Sequence, residues 1–174
     1  LPQDVVDTYQ IVLVPLYVHF GQEAFRDRID LSGDAFYRRL TSSPRLPTTS
    51  SPSVGDFQQA YQSLLADDPE TTILSIHVAS TISGTISSAR QAAALIPDAN
   101  IHIFDTLSGS LAEGLMVLEA ARMASEDATS DAILARLAAM REGMQLLLTP
   151  STLDYIAKGG RIGHAAHLVG TLLD

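Results

Sequence analysis

Apolar residues along this chain follow two rhythms, and the rhythms alternate. Ile11 to Phe20 (IVLVPLYVHF) is a nearly unbroken apolar run rich in β-branched residues, which predicts a buried strand. Pro15 lies inside the run and offers no N–H to a ladder, so a bulge or a strand edge is expected there. The charged stretch from Gly21 to Asp30 predicts a loop, and Ser32 predicts the N-cap of a short helix through Leu40. Thr41 to Ser53 (TSSPRLPTTSSPS) is rich in Pro, Ser and Thr and predicts irregular backbone.

From Ser53 onward the period changes. Ser53-Val54-Gly55-Asp56 reads as a capping box with Asp in the place of Glu, and Phe57, Tyr61, Leu64 and Leu65 behind it share one helical face. Thr72 to Val78 (TILSIHV) predicts a strand. Ser80-Thr81-Ile82-Ser83-Gly84-Thr85 leads into a helix from Ser83 to Ile96. Ile101 to Phe104 predicts a short strand ending at Asp105-Thr106. Leu111, Leu115 and Leu118 mark a further helix, and Thr129 caps another whose stripe is Ile133, Leu137, Met140 and Met144. Gln145 to Thr149 predicts a strand, and Ser151-Thr152-Leu153-Asp154 a second capping box. Gly159-Gly160-Arg161-Ile162-Gly163 then precedes a final apolar helix ending near Leu173.

Strands alternating with helices predict an α/β fold with a mostly parallel sheet flanked by helices. Ligands of such sheets bind in the crevice beyond the carboxyl ends of the strands. The loops bound for that crevice are unusually rich in hydroxyls: Thr48-Thr49-Ser50-Ser51, Ser80 to Thr85, and Thr106 to Ser110, with Ser108 among them.

Composition narrows the picture further. The chain has 174 residues, 46% of them apolar and 18% charged, enough for a packed core and unlike a disordered segment. No apolar run approaches the ~18 residues of a membrane span, and Leu1-Pro2-Gln3-Asp4 lacks the layout of a signal peptide. There is no Cys, hence no disulfide, thiolate metal site or thiol nucleophile. A net charge of −9 runs against binding to nucleic acid. These features predict a soluble cytoplasmic protein with no stable membrane insertion.

Ser83 and Gly84 open a helix, where free N–H groups and the helix dipole favour an anion. Ser83 would offer its hydroxyl and N–H, and Gly84 would allow close approach to the backbone. The alternative is that Ser83 only caps its own helix. Thr48, Thr49 and Ser50, fixed behind Pro47, fit either a ligand loop or a solvated turn. Arg161, set among glycines, is placed either to clamp an anion or simply to face solvent in a turn. His164 and His167 are three apart with no third ligand nearby and read as a solvated helix face rather than a metal pair. His77 and His102 sit in apolar strands and read as satisfied core residues. No nucleophile elbow, dinucleotide fingerprint or Walker motif occurs. The single lysine, Lys158, lies near Arg161, which predicts a polar setting rather than a desolvated amine.

Taken together, several stretches resemble the DegV family of bacterial fatty-acid-binding proteins. They are Val14 to Val18, Leu46 to Ser53 with Asp56-Phe57, Ser80 to Thr85 with Ser88-Ala89, Phe104-Asp105-Thr106, and Asp154 to Gly163. They arrive in family order and cover nearly the whole chain. The resemblance implies an α/β first domain, a second domain of antiparallel sheet and helices, and a long-chain fatty acid such as palmitate buried between them. It implies that Thr49 and Ser83 hold the carboxylate, with Gly84 and Arg161 beside them and Thr48, Ser50, Thr85 and Ser108 as further loop contacts. It also implies a carrier rather than an enzyme, with no cofactor or metal. A separate fatty-acid kinase would convert the presented acid to acyl phosphate for phospholipid synthesis.

Relative to that family, residues 1–147 are expected to form the first domain without its first strand. Residues 148–174 would begin a second domain that continues for more than about a hundred residues in family members. Ile82, Ile86 and Leu168 are candidates to line the acyl tail. The competing expectation is a phosphotransfer or hydrolase enzyme acting on a small anionic substrate at the same loops through Ser83 or Arg161, with Asp105 as the lone candidate for the metal ligand or general base it would need.

Overall fold

The computed structural model describes residues 1–161. Ile162, Gly163, His164, His167, Leu168 and the expected terminal helix lie outside the described residues. In chain order the elements are α1 (Gln3–Thr8), β1 (Tyr17–Phe20), β2 (Glu23–Arg26), α2 (Gly33–Ser42), β3 (Thr48–Ser50), α3 (Val54–Leu65), β4 (Ile73–His77), α4 (Thr85–Ala94), β5 (Ile101–Asp105), α5 (Ser110–Ser125), α6 (Ser130–Gly143) and α7 (Asp154–Lys158). No helix among the described residues is long and apolar enough to cross a membrane.

The α/β class holds, and its centre is the parallel pair β4–β5, in register from Ile73↔Ile101 to His77↔Asp105. Strand alternation sends Ile73, Ser75 and His77 to one face and Leu74 and Ile76 to the other. On the first face, α3 and α4 contribute Phe57, Tyr61, Ala89 and Ala92 to a buried cluster. On the second, α5 and α6 supply Met116, Ala120, Ile133 and Leu137 around Phe104. The small residues of α4 and α5 let both helices lie close against the strands. Ser32, Ser53 and Thr129 cap their helices as expected, and Ser53 with Asp56 completes the capping box.

Among the strands of the described residues, only these two pair in parallel. The other three form an antiparallel sheet in the order β2-β1-β3, over a small core of Val18, Phe20 and Leu31. The charged stretch predicted to be a loop is therefore a hairpin. Gly21 turns it with φ 66°, the left-handed value needed at the first position of a tight two-residue loop. Likewise the Pro/Ser/Thr-rich stretch is not wholly irregular. Thr48 to Ser50 pair with β1, because an edge strand needs only one partner and no apolar face.

Four other expectations change. The run from Ile11 to Phe20 is a strand only from Tyr17. Its first half, Ile11–Leu16, is in neither helix nor strand. Leu111 and Leu115 of α5 face outward, and Ala112, Met116 and Ala120 face inward. Both stripes have helical spacing, and the sheet selects the smaller one. Gln145 to Thr149 forms no strand, with Leu147 and Leu148 exposed. Ser151 forms no capping box; Thr152 Oγ1 instead accepts the N–H of Asp154 at 3.2 Å.

Among the described residues, no strand pairs with the edge of β4 opposite β5. Beside it runs a cavity of about 370 Å³ lined by Ile11 to Val14, Leu64, Ile73 to Val78 and α5. His77 lies at its polar end, hydrogen-bonded through Nε2 to Ser75 Oγ at 2.6 Å, which in turn meets Tyr61 Oη at 2.7 Å. The imidazole packs edge-on against Phe57, with ring centroids 5.1 Å apart. Burial favours the neutral ring and lowers its pKa to about 4, and the Asp105 charge opposes this only in part.

Below about pH 6.5 the unfolded chain protonates this histidine while the folded protein does not. Stability is therefore complete above pH 6.5 and falls as pH drops toward 4. Between pH 7 and pH 5 the loss through His77 is on the order of 2 kcal/mol. Urea midpoints measured across this range should show a shallower slope for His77→Gln; parallel slopes would show that the imidazole does not titrate as described. In the core, Leu137→Ala should cost about 2–5 kcal/mol in urea unfolding, whereas Leu111→Ala should stay within about 0.5 kcal/mol.

Candidate functional site

Parallel pairing brings the carboxyl ends of β4 and β5 to one edge of the molecule. From His77 the chain enters the loop Val78–Gly84, and from Asp105 it enters Thr106–Gly109. The two loops are stitched together by short bonds. Ala79 N donates to Ser108 O at 2.7 Å. Thr106 N and its hydroxyl both donate to His77 O, at 3.1 and 2.8 Å. Gly109 is pressed between them; a Cβ there would lie 3.3 Å from Val78 Cγ2.

The loop after β3 arrives at the same place, and Ser51 is the residue that makes contact. Its Oγ lies 3.2 Å from Ser83 Oγ, which lies 2.8 Å from Thr85 Oγ1. Three hydroxyls from two segments 32 residues apart thus form one cluster at the start of α4. Thr85 is buried, and Ser51 and Ser83 are half-buried.

Ser83 is not the N-cap; Gly84 holds that position without a side-chain bond. Ser83 Oγ does accept the N–H of Thr85, at 3.3 Å. The two roles considered for Ser83 thus partly coincide in one hydroxyl. The N–H of Ser83 is not on offer, because it donates to Ala79 O at 3.2 Å. The N–H of Gly84 takes no acceptor among the described residues. A Cβ at Gly84 would meet Ser51 Oγ at 3.5 Å, an ordinary contact, and its φ is −74°. Neither packing nor backbone geometry therefore requires glycine here.

Thr48, Thr49 and Ser50 lie in β3 with exposed side chains. Thr49 pairs with Val18, and strand alternation puts it on the same side of the chain as Ser51. Ser50 points the other way and meets His19 Nε2 at 2.8 Å. Ser108 contributes backbone atoms to the stitching. Ile82 lies at the rim, 37% exposed, and Ile86 is fully buried beneath it.

Arg161 reaches the loop after β4 from the far end of the described chain. Gly160 adopts φ 74°, and Arg161 N donates to Ile156 O at 3.1 Å, closing α7 through a left-handed glycine. The turn aims the guanidinium at the β4 loop: Nε donates to Ile82 O at 3.5 Å, one residue before Ser83, and Nη1 donates to Gly159 O at 2.6 Å.

Asp105 stands under both loops. Burial pushes its pKa up, but hydrogen bonds from Ser80 and Leu107 outweigh this and keep the carboxyl below its usual value. No group of three or more His, Asp or Glu among the described residues is arranged to hold a metal ion.

Ser51 is the contact that the sequence reading passed over as an individual residue. The available signal was its position two residues after Thr49 in an extended segment. The pairing of His19 with Ser50 gave no signal, because it depends on the register of β1 against β3.

The family model described as "Uncharacterised protein, DegV family" matches residues 1–174. A DegV domain-containing protein of Staphylococcus aureus (strain N315) is 36% identical over 99% of this chain and 60% of its own length. The structure of a DegV family protein from Thermus thermophilus, described as fatty acid binding, superposes with a TM-score of 0.87 at 34% identity, covering 100% of this chain and 61% of that one. A stearic acid-binding protein from Eubacterium ventriosum superposes at 0.81 with 28% identity, over 94% of this chain and 57% of that one. The chain thus spans about 60% of the length of the curated relatives it matches. With the whole chain matched by the family model, this protein belongs to the DegV family.

Proposed function

We propose that the hydroxyl cluster at the carboxyl end of β4 holds the carboxylate of a long-chain fatty acid such as palmitate, and that the protein is a carrier rather than an enzyme. The observation that carries this reading is the joining of Ser51, Ser83 and Thr85 beside the free N–H of Gly84. Solved relatives described as fatty-acid-binding support the choice of ligand. Neutral donors suit the task, since a hydrogen bond to a charged acceptor is worth about 1.5–3 kcal/mol. Each buried methylene adds about 0.8 kcal/mol, so a long tail supplies most of the affinity and the loops supply orientation.

Thr49, Thr48 and Ser50 form the outer wall in this reading, with Thr49 on the side of Ser51. Ser108 contributes through the loop that backs Ala79. Arg161, exposed and directed at the Ser83 loop, is suited to meet the head group or a partner that approaches it. That partner is a fatty-acid kinase, which would phosphorylate the presented carboxylate for phospholipid synthesis. The domain expectation also stands as a proposal, with residues 1–147 as the first domain and 148–174 opening a second. The edge of β4 left unpaired among the described residues, and the groove beside it, support a further strand at that position.

A phosphotransferase or hydrolase at these loops is the second reading, with Asp105 as its acid or base. The Asp105 carboxylate already accepts two backbone N–H groups and is held ionised, which makes it a weak base. The carrier reading is therefore favoured.

Mass spectrometry of an organic extract of the purified protein should find one acyl chain per molecule, and added palmitate should raise the melting temperature of delipidated protein. Absence of both would end the carrier reading. Ser83→Ala should weaken palmitate binding by about tenfold or more while costing less than about 2 kcal/mol of stability. Gly84→Ala should also weaken binding, through crowding at the head group, with stability changed by less than about 1 kcal/mol. Fluorescent fatty-acid titration and urea unfolding check both variants, and unaltered affinity in both would move the head group elsewhere.

A further inference from the structure

We propose that Asp105 is a positioning residue for the head-group site: its carboxylate ties the loop bearing Ser83 to the loop bearing Leu107, without touching the ligand. The inference rests on the reading of the hydroxyl cluster as a carboxylate site, and it adds the group that sets the cluster's geometry.

Asp105 ends β5, directly across from His77 at the end of β4. Its Oδ1 accepts Leu107 N at 3.0 Å and Ser80 N at 3.3 Å, and Oδ2 lies 3.4 Å from the same Ser80 N. One carboxylate thus spans both loops. Its main chain is anchored separately, because Arg141 of α6 donates from Nη1 to Asp105 O at 2.9 Å and lies over the Phe104 ring, 5.0 Å from its centroid. The side chain therefore works from a fixed base.

What it holds is not self-supporting. Leu107 has φ 50°, a left-handed conformation that a residue with a Cβ rarely adopts, and its side chain is 59% exposed. No burial compensates, so the bond to its N–H is the visible restraint. Ser110, three residues on, also has a positive φ, 54°. Unfavourable backbone geometry gathered at one loop beside a binding cluster is a known mark of a shaped site.

On the other loop, the hold on Ser80 fixes the residue next to Ala79. Ala79 O accepts the N–H groups of Ile82 and Ser83, at 3.1 and 3.2 Å. The path from carboxylate to Ser83 is therefore two hydrogen bonds long, with the Ala79–Ser80 peptide between them. Thr106, fully buried, braces the same crossing from beneath. Asparagine at 105 keeps the shape, but its amide has only one acceptor oxygen, and that oxygen carries no charge.

The test compares the protein with its Asp105→Asn variant by amide hydrogen exchange without ligand and by palmitate titration. Exchange at Ser80, Ile82, Ser83 and Leu107 should accelerate by about tenfold, while amides of α6 from Ile133 to Leu137 keep their rates. Palmitate affinity should fall by about tenfold, with the melting temperature within about 4 °C of the parent. Unchanged exchange at the four loop amides, or equal acceleration in α6, overturns the positioning role. So does unaltered affinity in the variant when the parent binds. If the parent binds no fatty acid, the carrier reading fails by itself, and the exchange pattern still decides whether Asp105 holds the two loops.

Discussion

Parallel pairing of β4 with β5 between two helical layers is the constraint on which the rest depends. Two parallel strands end at the same edge, so the loops after His77 and Asp105 must lie side by side. Helices on both faces keep the pair buried, and three of the five residues of β4 are apolar. The exceptions, Ser75 and His77, are tolerated because Tyr61, Ser75 and His77 satisfy one another in a line. The imidazole, kept neutral by burial, places a polar brace at the end of β4, beside the candidate site.

On that edge the protein spends its polar groups in two different ways. Backbone and side-chain groups of Thr106, Asp105 and Ala79 are used up in holding the loops against each other. Hydroxyls of Ser51, Ser83 and Thr85 bond mainly to one another and so remain able to exchange those bonds for a ligand. An acidic protein of net charge −9 gains no general attraction for anions. In the proposed reading, an acid head group is therefore captured by local hydrogen bonds at short range, with Arg161 as a nearby exposed cation.

Much of this was legible in advance, though unevenly. Helix starts at Ser32, Ser53 and Thr129 were readable because a cap is a local contract between a side chain and the next turn. The strands β4 and β5 were readable from short apolar runs between loop signals. Ser83 and Gly84 stood out as site candidates because a hydroxyl, a glycine and a helix start fall within three residues. By contrast, β2 and β3 were hidden, since a polar strand that pairs along one edge leaves no apolar rhythm. The inward face of α5 was misjudged because leucines and small residues both repeat at helical spacing, and only the sheet beneath chooses between them.

Sequence alone determined the α/β class, the caps at Ser32, Ser53 and Thr129, the hydroxyl-rich loops and the motifs of the DegV family. All of these are written within a few consecutive residues, where local sterics and hydrogen bonding act. Tertiary structure decided that Ser51 meets Ser83, that Asp105 grips Ser80, and that Arg161 reaches Ile82. Each of those contacts joins segments separated by 25 to 79 residues. Its geometry follows from strand register and loop path, which no local pattern encodes.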